Sequence, residues 1–330
     1  MIYSSSSCDN LSHNEIIERA ENGDSEAQYI LGIYYNNDRT GESDDEKSFH
    51  WLKLAAEQGH CEAQYFLGLR FKNPTSNKKD YQLSLFWLEK AANQSHPFAP
   101  NELGWIWSEV LKKEYEKAVY WYRTGAERGQ RFAQNNLGRM YENGSGVAQD
   151  YTQAFFWYKQ AALQGNATAQ ANLADLYDDG KGIAQNFSLA AFWYLKSARQ
   201  GSRHGQFQTG WKYNEGEGVN QDYKQAMYWY LKAAAQESIS AYVNIGYMYK
   251  HGHGVEKDYQ TAFDWFMKAA ERNNAAAWYN LAIMYHYGEG RPADLRQALD
   301  LYRKVQSSGI RDVSKEIREI DDLLDKKQAH

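Results

Sequence analysis

The chain has 330 residues, of which 43% are hydrophobic, 24% charged and 15% aromatic, and it contains only 4 prolines. This composition is typical of an ordered protein and argues against a disordered or linker-rich chain. The formal net charge of −5 gives no reason to expect a nucleic-acid or anionic-lipid surface. Hydrophobic runs are short and interrupted, so none approaches the roughly 20 apolar residues that span a bilayer.

The N-terminal sequence has no basic stretch followed by an apolar one, so it contains no recognisable secretion signal. The 2 cysteines are too few to build a disulfide framework. Both observations favour a cytoplasmic location, without membrane insertion.

A tryptophan recurs along the chain at an almost constant spacing. Its steps are 36, 34, 36, 36, 36 and 36 residues, and a leucine takes its place after a final 36, at positions Trp51, Trp87, Trp121, Trp157, Trp193, Trp229, Trp265 and Leu301. A small residue recurs upstream with steps of 36, 36, 34, 36, 36, 36 and 36, at Gly32, Gly68, Gly104, Gly138, Ala174, Gly210, Gly246 and Ala282. The sequence therefore contains eight repeat units in register.

Each unit has the pattern of two helices. In the fourth unit the first helix carries Ala133, Leu137, Gly138 and Tyr141, whose spacings place them on one helical face. The second helix carries Trp157 with alanines three positions before it and four and five after it. Large rings facing small residues let neighbouring helices interdigitate, so we expect the tryptophans to belong to the core. In five units a Gly-x-Gly turn joins the helices, because glycine supplies the left-handed backbone that ends a helix.

Residues 133–165 match the pattern A-x-x-x-L-G-x-x-Y, G-x-G-V, D-Y-x-x-A-x-x-W-Y-x-K-A-A-x-Q-G almost letter for letter, and residues 169–201 and 241–273 match it closely. This pattern resembles that of the SEL-1-like repeat family, which is related to the tetratricopeptide repeats, and the chain looks like a bacterial member. The resemblance implies an all-α, right-handed solenoid whose first helices line a concave surface that holds protein partners. It brings no catalytic residues.

We therefore predict an N-terminal tail and half-repeat cap helix over residues 1–24, eight repeats over 25–309, and a capping helix over 310–330. The last segment carries an apolar stripe at helical spacing, from Val313 through Ile317 and Ile320 to Leu324. Terminal helices with one polar face keep solenoids soluble. The sixth unit departs from the pattern, because Thr209 replaces its usual leucine.

Candidate binding residues lie on the first helices, at positions that point away from the core. Asparagine amides can both donate to and accept from an extended peptide backbone, and large rigid rings supply interface energy. On this reasoning we predict a partner-binding groove on the concave face, formed by Asn136, Asn172, Asn244, Asn280, Trp105, Trp211, Tyr247, Phe207 and Tyr279. In the alternative interpretation the rings pack between neighbouring first helices and the asparagines bond to neighbouring groups.

Other patterns do not indicate chemistry. His251 and His253 occupy a turn whose other copies carry Ser, Lys or Glu, which favours solvated histidines over metal ligands. The carboxylates form no pair that breaks the repeat, so no general acid and base stand out. We expect no enzyme activity, cofactor, metal or nucleic-acid partner.

The predicted function is a non-catalytic adaptor or scaffold that binds a partner protein or peptide of unknown identity. One alternative is an inhibitor or immunity protein that blocks a toxic effector enzyme. A third hypothesis is a carbohydrate or small-molecule binder that uses the exposed rings.

Overall fold

A computed structural model of the protein describes residues 11–36, 44–73, 80–111 and 114–328, with side chains up to residue 325. The first ten residues of the predicted N-terminal tail and the last two of the predicted capping helix lie outside the described residues. Every regular element in the described ranges is helical. None of these helices combines the length and apolar character needed to cross a bilayer.

The chain divides into two compact units, Met1–Gln164 and Gly165–His330. In its described part the first contains α1 (His13–Glu21), α2 (Ser25–Tyr35), α3 (Asp45–Glu57), α4 (Cys61–Lys72), α5 (Tyr81–Asn93), α6 (Ala99–Trp105), α7 (Tyr115–Glu127), α8 (Arg131–Asn143) and α9 (Tyr151–Leu163). A π-helical turn, Ile106–Val110, continues α6.

In its described part the second unit contains α10 (Ala167–Asp179), α11 (Phe187–Arg199), α12 (Arg203–Glu215), α13 (Tyr223–Ala234), α14 (Ile239–His251), α15 (Tyr259–Ala270), α16 (Ala275–Tyr287), α17 (Leu295–Ser308) and α18 (Ser314–Gln328). The first helices of the eight repeats are the even-numbered α2 to α16, and the second helices are the odd-numbered α3 to α17. Within each unit the extensive helix contacts join chain neighbours, which is the packing of a solenoid.

In six of the eight repeats the deepest contact joins a ring on the second helix to a small residue on the first, whereas Leu52 and Leu88 take the place of the ring in the first two repeats. A Cβ added to Gly210 would lie 2.6 Å from Cδ1 of Tyr230, so the ring lies directly on the helix backbone. Alanine takes the same place at positions 174 and 282, so the contact accepts a glycine or an alanine in every repeat. The fully buried rings at this position are Tyr122, Tyr158, Tyr194, Tyr230, Phe266 and Tyr302. The repeat core is therefore centred on the residue that follows the tryptophan ruler.

A glutamine pair satisfies buried polar groups at the opposite end of the repeat. The amide of Gln206 donates to the carbonyl of Ala198 at 3.4 Å, and Gln236 donates to Oε1 of Gln206 at 2.8 Å. The same side-chain pairing recurs as Gln28–Gln58, Gln64–Gln94, Gln134–Gln164 and Gln170–Gln200. Because an unpaired buried amide is costly, these pairs fix the register of neighbouring helices.

The Gly-x-Gly turn is required by backbone geometry. Gly216 ends α12 in the left-handed region, with φ of 73°, and its N–H donates to the carbonyl of Lys212 at 2.9 Å. Gly218 has φ of 74°, and a Cβ there would lie 2.1 Å from the carbonyl oxygen of Phe187. The turn of one repeat therefore packs directly on the second helix of the repeat before it.

The apolar stripe of α18 packs against the last repeat. Val313 and Ile320 are fully buried in a cluster with Tyr302, and Ile317 and Leu324 pack against the same cluster. This helix shields the ring of Tyr302 from solvent, as a terminal helix of a solenoid does.

A histidine supports the start of α6. Nδ1 of His96 accepts hydrogen bonds from the backbone N–H groups of Phe98 at 3.2 Å and Ala99 at 3.1 Å, while Nε2 lies 3.4 Å from Oε1 of Glu62. Tyr65 stacks on the imidazole with ring centroids 4.0 Å apart. The imidazole is 2% exposed, and its burial lowers the pKa of His96 against the opposing effect of Glu62. Accepting at Nδ1 requires that this nitrogen carries no proton.

We predict that Gly218→Ala destabilises the protein much more than Gly201→Ala. Gly201 also has positive φ, at 89°, but nothing lies within 4 Å of an added Cβ, and its counterparts Glu237 and Asn273 adopt positive φ without glycine. We expect Gly201→Ala to cost about 1 kcal/mol from backbone strain and Gly218→Ala more than about 3 kcal/mol, because its Cβ also meets a carbonyl. Urea denaturation followed by circular dichroism measures both. Equal losses would contradict the packing of the turn.

We predict that acid destabilises the protein through His96. Because the folded pKa is lowered, the contribution is complete above the unfolded value of about 6.5 and is lost as pH falls below it. His96→Asn keeps a cap acceptor, as Asn166 and Asn274 do in other repeats, but does not titrate. Urea midpoints at pH values on both sides of about 6.5 should therefore fall less in this variant. An unchanged pH dependence would show that His96 does not carry it.

Candidate functional site

A cleft of about 600 Å³ lies in the second unit, between the outer face of the first helices and the end of the last repeat. Tyr247 of α14 and Tyr279 and Asn280 of α16 line it, which brings three of the predicted binding residues together. The remaining wall is formed by Ala275, Ala276, Val305, Ile310 and Arg311. None of these five residues is among the predicted binding residues. Two of them, Ile310 and Arg311, follow the last repeat and match no position in it.

The cleft combines exposed apolar surface with an unpaired cation. Tyr247 is 43% exposed and Ile310 is 74% exposed. The guanidinium of Arg311 lies 4.0 Å from the ring centroid of Tyr279 and forms no ion pair with a described carboxylate. A stacked guanidinium keeps its N–H groups available, so Arg311 can donate to a carbonyl or carboxylate of a bound chain. The arrangement suits a peptide better than a small polar solute.

Two asparagines of the predicted row use their amide nitrogen within their own helix. Nδ2 of Asn244 donates to the carbonyl of Ser240 at 3.1 Å, and Nδ2 of Asn280 donates to the carbonyl of Ala276 at 2.9 Å. Their amide oxygens accept no hydrogen bond from the described residues. These side chains therefore offer acceptors to a ligand, rather than the donor and acceptor pair that the sequence analysis expected.

The other two asparagines lie elsewhere. In the first unit Nδ2 of Asn136 donates to Oδ1 of Asn101 at 3.0 Å, and Asn135 donates to Oδ1 of Asn136 at 3.4 Å. Asn136 is thus bonded to neighbouring side chains, in the manner of the alternative interpretation. Asn172 is half-buried on α10.

The predicted aromatic residues differ in exposure. Trp211 is 38% exposed and stands 36 residues before Tyr247, in the equivalent place of its repeat. Phe207 is half-buried, 5.8 Å from the ring of Tyr230, and belongs to the edge of the core. Trp105 is half-buried in the first unit, with the ammonium of Lys72 4.0 Å from its ring centroid. Only Trp211 and Tyr247 combine a large ring with a largely open face.

A polar cluster on the same helix face was missed by the sequence analysis. Nε2 of His204 lies 2.9 and 3.0 Å from the two carboxylate oxygens of Asp175, and the hydroxyl of Tyr194 donates to Oδ1 of Asp175 at 2.5 Å. The hydrogen bond to Asp175 raises the pKa of His204. Asp175 stands 36 residues before Trp211, so the repeat spacing itself could have flagged it.

A second missed feature is a set of exposed rings on the second helices. The residue before each tryptophan is aromatic in five repeats and about half exposed, at Phe86, Tyr120, Phe156, Phe192 and Tyr228. Phe156 packs edge-on against Trp157 at 4.9 Å, and its position lies about 200° around the helix from buried Tyr158. A helical projection would therefore have separated Phe156 from the core.

The predicted solvated histidines lie in one turn. The ring centroids of His251 and His253 are 5.8 Å apart, and that of His251 lies 4.1 Å from the ring centroid of Tyr247. Within the described ranges no three His, Cys, Asp or Glu side chains are grouped so that they could hold a metal ion.

Comparisons with known proteins identify the repeat. The family model of the Sel1 repeat matches residues 25–60, 61–96, 103–130, 131–166, 167–202, 203–238, 239–274 and 275–304. The Sel1-repeat-containing protein YbeQ of Escherichia coli (strain K12) is 71% identical over 151 residues, which are 46% of this chain and 46% of that protein.

Two solved structures extend the likeness. A protective antigen of uropathogenic Escherichia coli strains, which displays an SLR fold, has a TM-score of 0.83 and 34% identity over 91% of this chain and 65% of that chain. A Sel1 repeat protein from Oxalobacter formigenes has a TM-score of 0.68 and 27% identity over 97% of this chain and 98% of that chain. The chain thus spans less than two thirds of YbeQ and of the antigen.

Proteins built from Sel1 repeats generally mediate protein–protein interactions. The matches confirm the predicted fold class, an all-α solenoid of helix-turn-helix repeats, and the chain belongs to the Sel1 repeat family.

Proposed function

We propose that the chain is a non-catalytic adaptor that binds a partner protein or peptide on the face of its first helices, the concave face in a solenoid of this kind. One observation carries the proposal: Tyr247, Tyr279 and Asn280 line the same cleft as Arg311 and exposed Ile310. Rings, an aliphatic side chain and a free guanidinium together form the kind of centre that dominates binding energy in protein interfaces.

The face extends from the cleft toward α12. Trp211 occupies the position of Tyr247 one repeat earlier, and Asn244 occupies the position of Asn280 one repeat earlier. An extended peptide lying across the first helices would meet rings and amide acceptors alternately. Its backbone N–H groups would donate to Asn244 and Asn280, and a carbonyl or carboxylate would accept from Arg311. The family supports this role, because Sel1 repeats generally bind proteins.

We predict that Trp211→Ala combined with Tyr247→Ala abolishes partner capture from lysates of the native cell. Each ring is a candidate interface anchor, and loss of two should weaken affinity by about 100-fold or more. The matched control is Tyr120→Ala with Phe156→Ala, which removes exposed rings from second helices of the first unit. Quantitative mass spectrometry of the captured proteins gives the readout, with circular dichroism verifying the fold of both variants.

Equal capture by the ring-deleted variant and the wild type would overturn the choice of face. A partner that is a toxic enzyme inhibited by this chain would make it an inhibitor rather than an adaptor. If a carbohydrate or another small solute stabilises the protein against heat and no protein is captured, the chain would be a small-molecule binder rather than an adaptor or an inhibitor.

A further inference from the structure

The second helices α11 and α13 present a basic surface, although the chain as a whole has a net charge of −5. Their charged residues are Lys196, Arg199, Lys224 and Lys232, all exposed, and neither helix contains Asp or Glu. The helix α11 is the second helix of the fifth repeat and α13 that of the sixth, and both pack on α12.

The same surface exposes large apolar side chains. Phe192 is 48% exposed and Tyr228 is 49% exposed, beside Leu189 and Leu231 at 38% and 42%. The ammonium of Lys196 lies 4.7 Å from the ring centroid of Phe192. We call the eight residues of these two paragraphs the α11–α13 surface. Grouped apolar side chains rimmed by charges of one sign are typical of an interaction site.

A pocket of about 240 Å³ lies beside Phe192. Its walls are mainly apolar and consist of Ser188, Ala191, Phe192, Leu195, Thr209, Lys212, Tyr213 and Val219. Ser188 and Phe192 are exposed, so the pocket reaches the α11–α13 surface. Its size suits a single bulky side chain.

Two residues of the pocket wall are smaller than their counterparts: Ala191 stands where the seven other repeats carry Phe, Leu, Val or Met, and the sixth repeat departs from the pattern at Thr209. Thr209 stands where the seven other repeats carry Leu or Ile, and so it leaves part of the core space unfilled. Lys212, with its side chain 2% exposed, replaces the Met or Leu of the four neighbouring repeats. Its ammonium pairs with Asp178 and, at 2.7 Å, with Glu217, so its charge is satisfied within the fold.

Carboxylates near the surface are engaged in structural bonds. Asp222 caps α13 by accepting from the backbone N–H groups of Lys224 and Gln225 at 2.9 and 3.0 Å. Asp178 and Glu217 pair with Lys212. No described carboxylate forms an ion pair with the four cations of the α11–α13 surface, so their charge is available to an external anion.

We infer that the α11–α13 surface docks an acidic segment of a partner protein, which places one bulky apolar side chain in the pocket beside Phe192. Charge complementarity selects the acidic segment. The pocket selects a peptide, because a nucleic acid or a lipid surface has no isolated side chain to fill it. Lys196 also covers the ring of Phe192, on which a base would otherwise stack. This surface is separate from the cleft at Tyr247 and does not rest on the function proposed above.

The test uses the full chain and a phage library of random dodecapeptides, followed by fluorescence anisotropy with the most enriched peptide. We expect enriched sequences with several Asp or Glu around one Leu, Ile, Met or Phe. Lys196→Glu with Lys232→Glu should weaken binding of this peptide by about tenfold or more. Lys196→Glu alone should weaken it in part, whereas Lys159→Glu on α9 makes the same single charge reversal elsewhere and should have little effect.

Thr209→Leu provides the sharper variant. It restores the leucine that most other repeats carry, so we expect it to fill the pocket and raise the melting temperature. We also expect it to weaken peptide binding by about tenfold or more, because the bulky side chain of the peptide can no longer enter the pocket. Loss of binding together with a higher melting temperature cannot be attributed to unfolding. Trp211→Ala with Tyr247→Ala should leave the peptide bound, which separates this proposal from the proposed function.

Three results would overturn the inference. They are no enrichment of any peptide, enrichment without acidic residues, and binding that Thr209→Leu leaves unchanged. Parallel assays use oligothymidylate and vesicles of phosphatidylserine and phosphatidylcholine. The surface would be assigned to nucleic acid or membrane if no peptide is selected, one of these probes binds the wild type, and Lys196→Glu with Lys232→Glu abolishes that binding.

Discussion

The contact between a small residue on the first helix and a fully buried side chain on the second sets the geometry of the repeat; that side chain is a ring in six repeats and Leu52 or Leu88 in the first two. A Cβ at Gly138 would lie 2.7 Å from Cδ1 of Tyr158, so the ring lies directly on the backbone of α8 and sets the spacing of the two helices. The glutamine pairs depend on this spacing, since they bridge helices held at a fixed distance. The side chains that build the contact all face inward. The outer faces of both helices take no part in this contact and can therefore differ from repeat to repeat.

Because the core residues are nearly the same in every repeat, a core position that differs calls for an explanation. The sixth repeat has two such positions, Gly205 and Thr209. Gly205 replaces the usual alanine, but Ser197 opposite it is larger than the Ala or Gly at six of its seven counterparts, and a Cβ at Gly205 would lie 2.6 Å from the serine Oγ. That exchange is compensated and needs no functional reason. At Thr209, by contrast, a pocket remains, because Ala191 of the same pocket wall is also smaller than the Phe, Leu, Val or Met of the other repeats. An uncompensated loss of packing costs stability, so its position beside an exposed basic surface indicates a binding role.

Sequence periodicity was sufficient to predict what lies within one helix. It identified the helix pairs, the glycine turns and the apolar stripe of α18, because each depends on residues close in the chain. It did not separate buried Tyr158 from exposed Phe156 within a run of four aromatics. Nor could it find the cleft, because Arg311 and Ile310 reach Tyr247 only through folding. The asparagine row shows the same limit: Asn136 bonds to Asn101 of the preceding repeat, a partner that spacing within one helix does not reveal.

Charge in this chain is segregated between helices, so the total is a poor guide to its surfaces. The first helix α10 carries Asp175, Asp178 and Asp179 with no basic residue, whereas α11 and α13 carry basic residues with no acidic one. A solenoid separates these sets because first and second helices face different sides of the repeat. The net charge of −5 therefore does not describe these individual surfaces. Asp175 and Asp178 of α10 are engaged by His204 and Lys212, whereas the cations of α11 and α13 form no ion pair with a described carboxylate, so charge directs an acidic partner segment to the second helices.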